Sequence, residues 1–256
     1  PPRGGASLPS GGRAVAMSLL SRWFGAGDQV AIDERRWVVL DVETTGLDMH
    51  HDEVLAIAAV AVTFDGAATP RMAPHIDLSD SFEAVLHHQS AGTDKDNILV
   101  HGIGVHAQRT GAPAREVLGA FERWIGNAPL LAFHAAFDRT MIGRAMKRTL
   151  GQGLRNPWLD LAPVASALHP ETRAHALDDW LDHFGIECAV RHQAAADTLA
   201  TAELLLRLLE PRAQRAALRL DLLQHVLERA PQGFVRDLAQ HQHAQQPARH
   251  RHRPEA

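Results

Sequence analysis

An α/β or α+β sheet with helices packed against it is the fold this sequence predicts, on three observations. Residues 37–42, Trp-Val-Val-Leu-Asp-Val, form a compact β-branched run with the composition of a buried strand. A second apolar run covers residues 54–64 and stops at the turn pair Asp65-Gly66. From Pro113 onward, helical and strand-like segments alternate, which places strands and helices in separate layers.

The remaining elements follow in order. Residues 71–76 can supply a third strand, and the polar stretch 87–97 reads as a loop. Pro113 is placed to open a helix that runs to Ile125. Residues 129–133 read as another strand and 138–150 as a helix. A short amphipathic helix at 177–184 is stopped by Gly185, and a helix at 194–209 is stopped by Pro211. A last helix is expected over 214–229. The domain organisation expected is thus a disordered extension over 1–35, a folded domain over 36–210, a C-terminal helix within 211–230 and a disordered Gln/His/Arg-rich tail over 231–256. Met17-Ser18-Leu19-Leu20 reads as a start, which makes the first sixteen residues an upstream extension. The apolar stretch around residues 14–20 is too short for a secretory signal.

Composition narrows the class. Of 256 residues, 45% are hydrophobic and 22% charged, as in soluble globular proteins, and no apolar run is long enough to span a bilayer. No membrane partner is therefore expected. The single cysteine, Cys188, excludes an intramolecular disulfide framework and fits a reducing, cytoplasmic location; a lone thiol also makes no zinc site. The net charge of −4 is uneven: eight Arg against four Asp/Glu after residue 210 give +4, which leaves −8 for residues 1–210. An acidic body that handles a polyanion needs metal ions between the two.

The chemistry concentrates in carboxylates. Asp41 and Glu43 stand at i and i+2 of the first strand, so both project from one face near its C-terminal end, where open α/β sheets place ligands. Thr44-Thr45-Gly46 then turns the chain and offers N–H groups and hydroxyls to a phosphate or sugar. A second strand exit, His134-Ala135-Ala136-Phe137-Asp138, ends with an Asp at a helix start. A third acidic position, Asp197, lies in an early turn of the 194–209 helix. Residues five apart on a helix are about 140° apart around its axis, so His192 belongs on the loop before that helix, free to carry protons. Four converging carboxylates repel one another and raise their pKa values. Two Mg2+ or Mn2+ ions offset that charge, and oxygen-only ligation suits these ions. Such a pair stabilises the attacking and leaving oxygens of a phosphodiester displacement, with His192 positioned by its chemistry to take the water proton.

Taken in order, Asp41-Val42-Glu43-Thr44-Thr45-Gly46, Phe137-Asp138 and His192 with Asp197 resemble the three motifs of the DEDDh (DnaQ-like) 3′→5′ exonuclease superfamily. The likeness spans about residues 37–210 and is closest to the epsilon proofreading subunit of bacterial DNA polymerase III and its stand-alone relatives. His101-Gly102-Ile103 resembles the family's HGI segment, and Leu177-Asp178-Asp179-Trp180-Leu181 the helix before its third motif. The resemblance implies a ribonuclease-H-like fold, a central mixed β-sheet flanked by α-helices. It implies that Asp41, Glu43 and Asp197 hold the metal that activates water, that Asp41 and Asp138 hold the second, and that His192 is the general base. It further implies that Thr44, Thr45, Gly46, Leu47, His101, His134 and Phe137 contact substrate, with Leu47 wedged against the terminal base. The family's usual Asn in the second motif is replaced here by His134, which implies altered substrate handling with the metal ligands untouched. The expected substrate is nucleic acid with a free 3′ end, single-stranded DNA foremost, in proofreading or repair. RNA or short oligoribonucleotides are the alternative substrate. A non-catalytic binding module needs a lost ligand, and none is lost. No clamp-binding motif or polymerase-binding tail identifies a polymerase partner.

Overall fold

In the first strand, side chains alternate between two cores. Val38, Leu40 and Val42 join one apolar cluster, while Trp37 and Val39 join a second on the opposite face. The structure, a computed structural model, describes residues 33, 35–64, 74–88 and 95–209. Apart from residues 33 and 35, the N-terminal extension lies outside the described residues, as do the helix expected over 214–229 and the tail after Pro231.

Five strands form one sheet: β1 (Arg36–Thr44), β2 (Val54–Phe64), β3 (Pro74–Val85), β4 (Leu130–Ala132) and β5 (Trp158–Asp160), in the order β3-β2-β1-β4-β5. β1 pairs antiparallel with β2, and β2 with β3, whereas β1–β4 and β4–β5 are parallel. The sheet is therefore mixed. Seven helices are described: α1 (Lys95–His101), α2 (Val105–Thr110), α3 (Ala114–Ile125), α4 (Ala136–Leu150), α5 (Leu161–Leu168), α6 (Leu177–Phe184) and α7 (Ala194–Leu208). Val117, Phe121, Met141 and Ile142 bring α3 and α4 onto the Val38/Leu40 face. Trp180, Leu181, Ala200, Leu204 and Leu208 bring α6 and α7 onto the Trp37/Val39 face, and Val164 adds α5 there. No described helix is long and apolar enough to cross a membrane.

The structure corrects several sequence expectations. The third strand, expected over 71–76, runs on from Pro74 to Val85, and residues 71–73 lie outside the described residues. Asp77, Leu78, Ser79 and Asp80 look like turn residues because part of the strand bulges: Val60 faces Ser81 while the adjacent Ala61 faces Asp77. Within the bulge, the Ser79 N–H donates to Asp77 Oδ1 at 3.0 Å. Residues 95–97, expected as loop, open α1. The second-motif helix begins at Ala136, so Asp138 lies within its first turn. β5, α1, α2 and α5 were not foreseen. β5 has 3 residues, too few to show a period, and Pro163 in the first turn of α5 disguises that helix.

Candidate active site

Because β1, β4 and β5 are parallel, their C-terminal ends share one edge of the sheet, and the chemistry collects there. Asp41 and Glu43 fall on the face shared with Trp37 and Val39, the face that α7 covers. Their cross-strand partners are Ala58 and Ala56, small residues that leave space beside both carboxylates. A register shift after Glu43 then bends the chain into the Thr44–Leu47 turn. The buried Thr198 hydroxyl donates to the Ala58 carbonyl at 3.1 Å and pins the first turn of α7 to β2. Its neighbour Asp197 is thereby delivered to the site and is itself buried.

Asp138 arrives from the opposite layer. α4 packs on the other face, yet its first turn stands at the end of β4, and Asp138 is buried there. The approach requires a left-handed residue, His134, at φ 61°. Asn is the residue most at ease in that conformation after glycine, and His is among the next most tolerant, which explains how the replacement is accommodated. Asp160, at the end of β5, holds the turn in place. Its Oδ1 accepts from the His134 N–H at 3.0 Å and from the Ala162 N–H at 3.0 Å, so one carboxylate also caps α5.

The electrostatics are strained in the sense the sequence suggests. Burial, then the neighbouring Asp197, pushes Asp41 up to about 8, with Arg191 acting the other way. Burial, Asp41 and Asp197 push Glu43 up to about 8, again against Arg191. Burial and Asp41 hold Asp138 well above the usual carboxylate range. These mutual effects place the four carboxylates in one electrostatic cluster.

Asp197 itself is fully engaged. Its Oδ1 accepts from the Arg191 guanidinium and, at 3.5 Å, faces the Cys188 thiol; its Oδ2 accepts from the His192 N–H at 3.0 Å. Among the described residues, no three His, Cys, Asp or Glu side chains stand ready as a metal cage. The donor chemistry nevertheless fits a hard divalent cation: four carboxylates, oxygen ligands only, with charge in excess of the Arg191 guanidinium. His192 lies on the loop before α7, exposed, with φ 61°.

The residues expected at the substrate are disposed unequally. The Thr44 hydroxyl donates to the Gly46 carbonyl at 2.6 Å, and the Thr45 hydroxyl donates to Asp52 at 2.7 Å while accepting from the Glu53 N–H at 3.0 Å. Both hydroxyls are thus used inside the turn, and the N–H groups of Gly46 and Leu47 are its donors without a partner among the described residues. Leu47 is exposed, at 51%. His101 is buried; its Nδ1 accepts from the Ile103 N–H at 3.0 Å, and its Nε2 has no partner among the described residues. That bonding makes Nε2 the protonated nitrogen, and burial lowers the pKa of the ring. The His134 ring lies edge-on to Phe133, between Asp160 and the His175 backbone. Phe137 packs against the Val38/Leu40 core.

Four contributors escaped the sequence reading: Arg191, Asp160, Asp52 and Asn97. Asn97 Nδ2 donates to the Thr44 carbonyl at 2.7 Å and ties α1 to the turn. Asp160 had a readable signal, an Asp at a strand end two residues before a free helical N–H. Arg191 adjoins His192 in the sequence but had no visible partner. Nothing marked Asp52 or Asn97, whose partners depend on tertiary placement.

Comparison with known proteins bears on the family and the fold. The exonuclease family model matches residues 38–205. The PolC-type DNA polymerase III of Bacillus subtilis is 32% identical over 187 residues, which cover 72% of this chain and 12% of that protein. The chain therefore spans about an eighth of the length of the relative it matches. Escherichia coli exonuclease I in complex with a dT13 oligonucleotide superposes with a TM-score of 0.59 at 18% identity, covering 71% of this chain and 42% of the other. A zinc-bound form of that enzyme gives 0.55 at 18% identity, covering 70% and 42%. Cell-death related nuclease 4 gives 0.56 at 17% identity, covering 68% and 63%. These structural likenesses support the ribonuclease-H-like fold. With the family model covering most of the described domain, the chain belongs to the DnaQ-like DEDD 3′→5′ exonuclease superfamily.

Proposed function

We propose that this chain hydrolyses phosphodiester bonds from the 3′ end of single-stranded DNA, with two Mg2+ or Mn2+ ions as cofactors and His192 as general base. The observation that carries the reading is the carboxylate cluster, in which Asp41, Glu43 and Asp138 are destabilised as anions by burial and by neighbouring aspartates. Such an arrangement is costly unless cations complete it. Asp41, Glu43 and Asp197 would hold one ion, and Asp41 with Asp138 the other. When bound, the ions supply charge neutralisation and an activated water for in-line displacement at phosphorus.

The protein's own groups do the rest. His192, exposed beside Asp197, takes the proton of the attacking water. The N–H groups of Gly46 and Leu47 receive the terminal nucleotide, with the exposed Leu47 side chain against its base. His101, at the end of the helix that Asn97 ties to the turn, is assigned to the substrate side of the site through its Nε2–H. His134 and Phe137 shape the wall of the site from the second motif, and the Thr44 and Thr45 hydroxyls hold the turn in shape. DNA is favoured because exonuclease I is complexed with an oligodeoxynucleotide and the sequence relative is a DNA polymerase. The test is a competition between matched DNA and RNA single strands labelled at the 5′ end. Faster shortening of DNA from its 3′ end is expected, whereas preferred loss of RNA makes the enzyme an exoribonuclease.

A further inference from the structure

Arg191 has no part in the chemistry above, yet its guanidinium sits at the centre of the charge. Its Nε donates to Asp178 in the first turn of α6, and its Nη1 to Asp197 in the first turn of α7. The two partners differ in exposure: the Asp197 side chain is 8% exposed, whereas Asp178 is 60% exposed and lies towards solvent. Among the described residues, Arg191 is the one cation bonded to a member of the carboxylate quartet. It also acts on Asp41 and Glu43, where it opposes the repulsion among the carboxylates.

From this fork we infer that Arg191 is the resident counter-cation of the metal-free site, a positioning residue that holds Asp197 until a divalent ion claims it and is then retained by Asp178. The inference rests on the reading that the quartet takes divalent ions. A guanidinium and a dication compete for the same Oδ1, so on this inference metal binding displaces Arg191 from Asp197. The Asp178 contact need not break, because the guanidinium has five N–H donors and this partner lies outside the cluster. The exchange also reaches His192. Its N–H sits on the other oxygen of Asp197, and it directly follows Arg191 in a left-handed conformation.

The two arms of the fork predict opposite effects on metal affinity. Mn2+ is titrated calorimetrically into the EDTA-stripped 256-residue chain at about pH 8, where proton competition is reduced. Arg191→Gln removes the competitor and should tighten the Mn2+ Kd about five- to tenfold, the range for a partly buried ion pair. Asp178→Asn removes the alternative partner, so Arg191 clings to Asp197, and the Kd should weaken about two- to threefold. Arg191→Lys should stay near the parent value. An unchanged or weaker Kd in Arg191→Gln overturns the inference, as does tightening in Asp178→Asn. If Arg191→Gln does not fold, the Asp178→Asn arm decides alone. Equal Mn2+ binding by parent and variants overturns this inference only. No Mn2+ binding by any of them overturns the metal reading of the site as well.

Discussion

The backbone N–H of His192 donates to Asp197 Oδ2 at 3.0 Å, so the proposed proton carrier and a metal-ligand candidate are coupled through one hydrogen bond. The ring contributes chemistry while the backbone contributes geometry, and the two are separable. In His192→Asn the left-handed backbone is tolerated and the base is lost. Single-turnover cleavage should fall about 10²–10⁴-fold, with Mn2+ affinity nearly unchanged by calorimetry. A parallel loss of metal affinity contradicts this division.

The raised carboxylates set a pH dependence. Asp41 and Glu43 titrate at about 8 in the folded chain, against ordinary values of 3.8 and 4.5. Between those values the folded state holds more protons than the unfolded state. Their contribution to stability is therefore full at low pH and is lost as pH rises through about 8. The melting temperature of EDTA-treated protein should fall by several degrees between about pH 5.5 and about pH 8.5, and saturating Mg2+ should flatten the decline. A metal-free melting temperature that rises across this range contradicts the electrostatics.

Asp160 ties the second motif to α5. Asp160→Ala leaves the His134 and Ala162 N–H groups without their acceptor, at a cost of about 2–3 kcal/mol. For a chain of this size, that lowers the melting temperature by roughly 4–10 °C. Asp160→Asn keeps one carbonyl oxygen and should retain most of the stability. Differential scanning calorimetry of both variants checks the ranking.

Gly46 is fixed by its neighbour. A Cβ there would stand 2.5 Å from Asp52 Oδ2, and Asp52 is held by the Thr45 hydroxyl at 2.7 Å and the Asp48 N–H at 2.8 Å. Gly46→Ala should cost about 1–3 kcal/mol by forcing the turn apart. Because this turn is assigned to the terminal nucleotide, KM should rise more than kcat falls. Steady-state kinetics on a short single strand separates the two.

What could be read in the sequence divides along physical lines. Strand β2 matched its expected bounds and α7 nearly did, because each is long and consistently apolar on the side it buries. The two-residue spacing of Asp41 and Glu43 already implied a shared face, and the positions of both in β1 follow from it. The extent of β3 was hidden by its bulge, and β5 by its length. Arg191 carries weight through Asp197 and Asp178, 6 and 13 residues away, which no local pattern reveals; the cap that Asp160 gives Ala162 was readable, but its bond to His134, 26 residues away, was not. The Thr44 and Thr45 hydroxyls looked free in sequence and are committed to the turn in the fold.

The most direct test of the carboxylate site is end shortening itself. A 5′-labelled single-stranded DNA oligomer is incubated with the chain and Mg2+, with EDTA, and with the Asp41→Ala variant. The parent with Mg2+ should yield a ladder of products shortened from the 3′ end, and both controls should be slower by about 10³-fold, or ~4 kcal/mol of barrier. Asp41→Ala should still fold, since it removes a buried anion that its neighbours repel. An intact strand with the parent and Mg2+, or undiminished shortening by folded Asp41→Ala, would contradict the account.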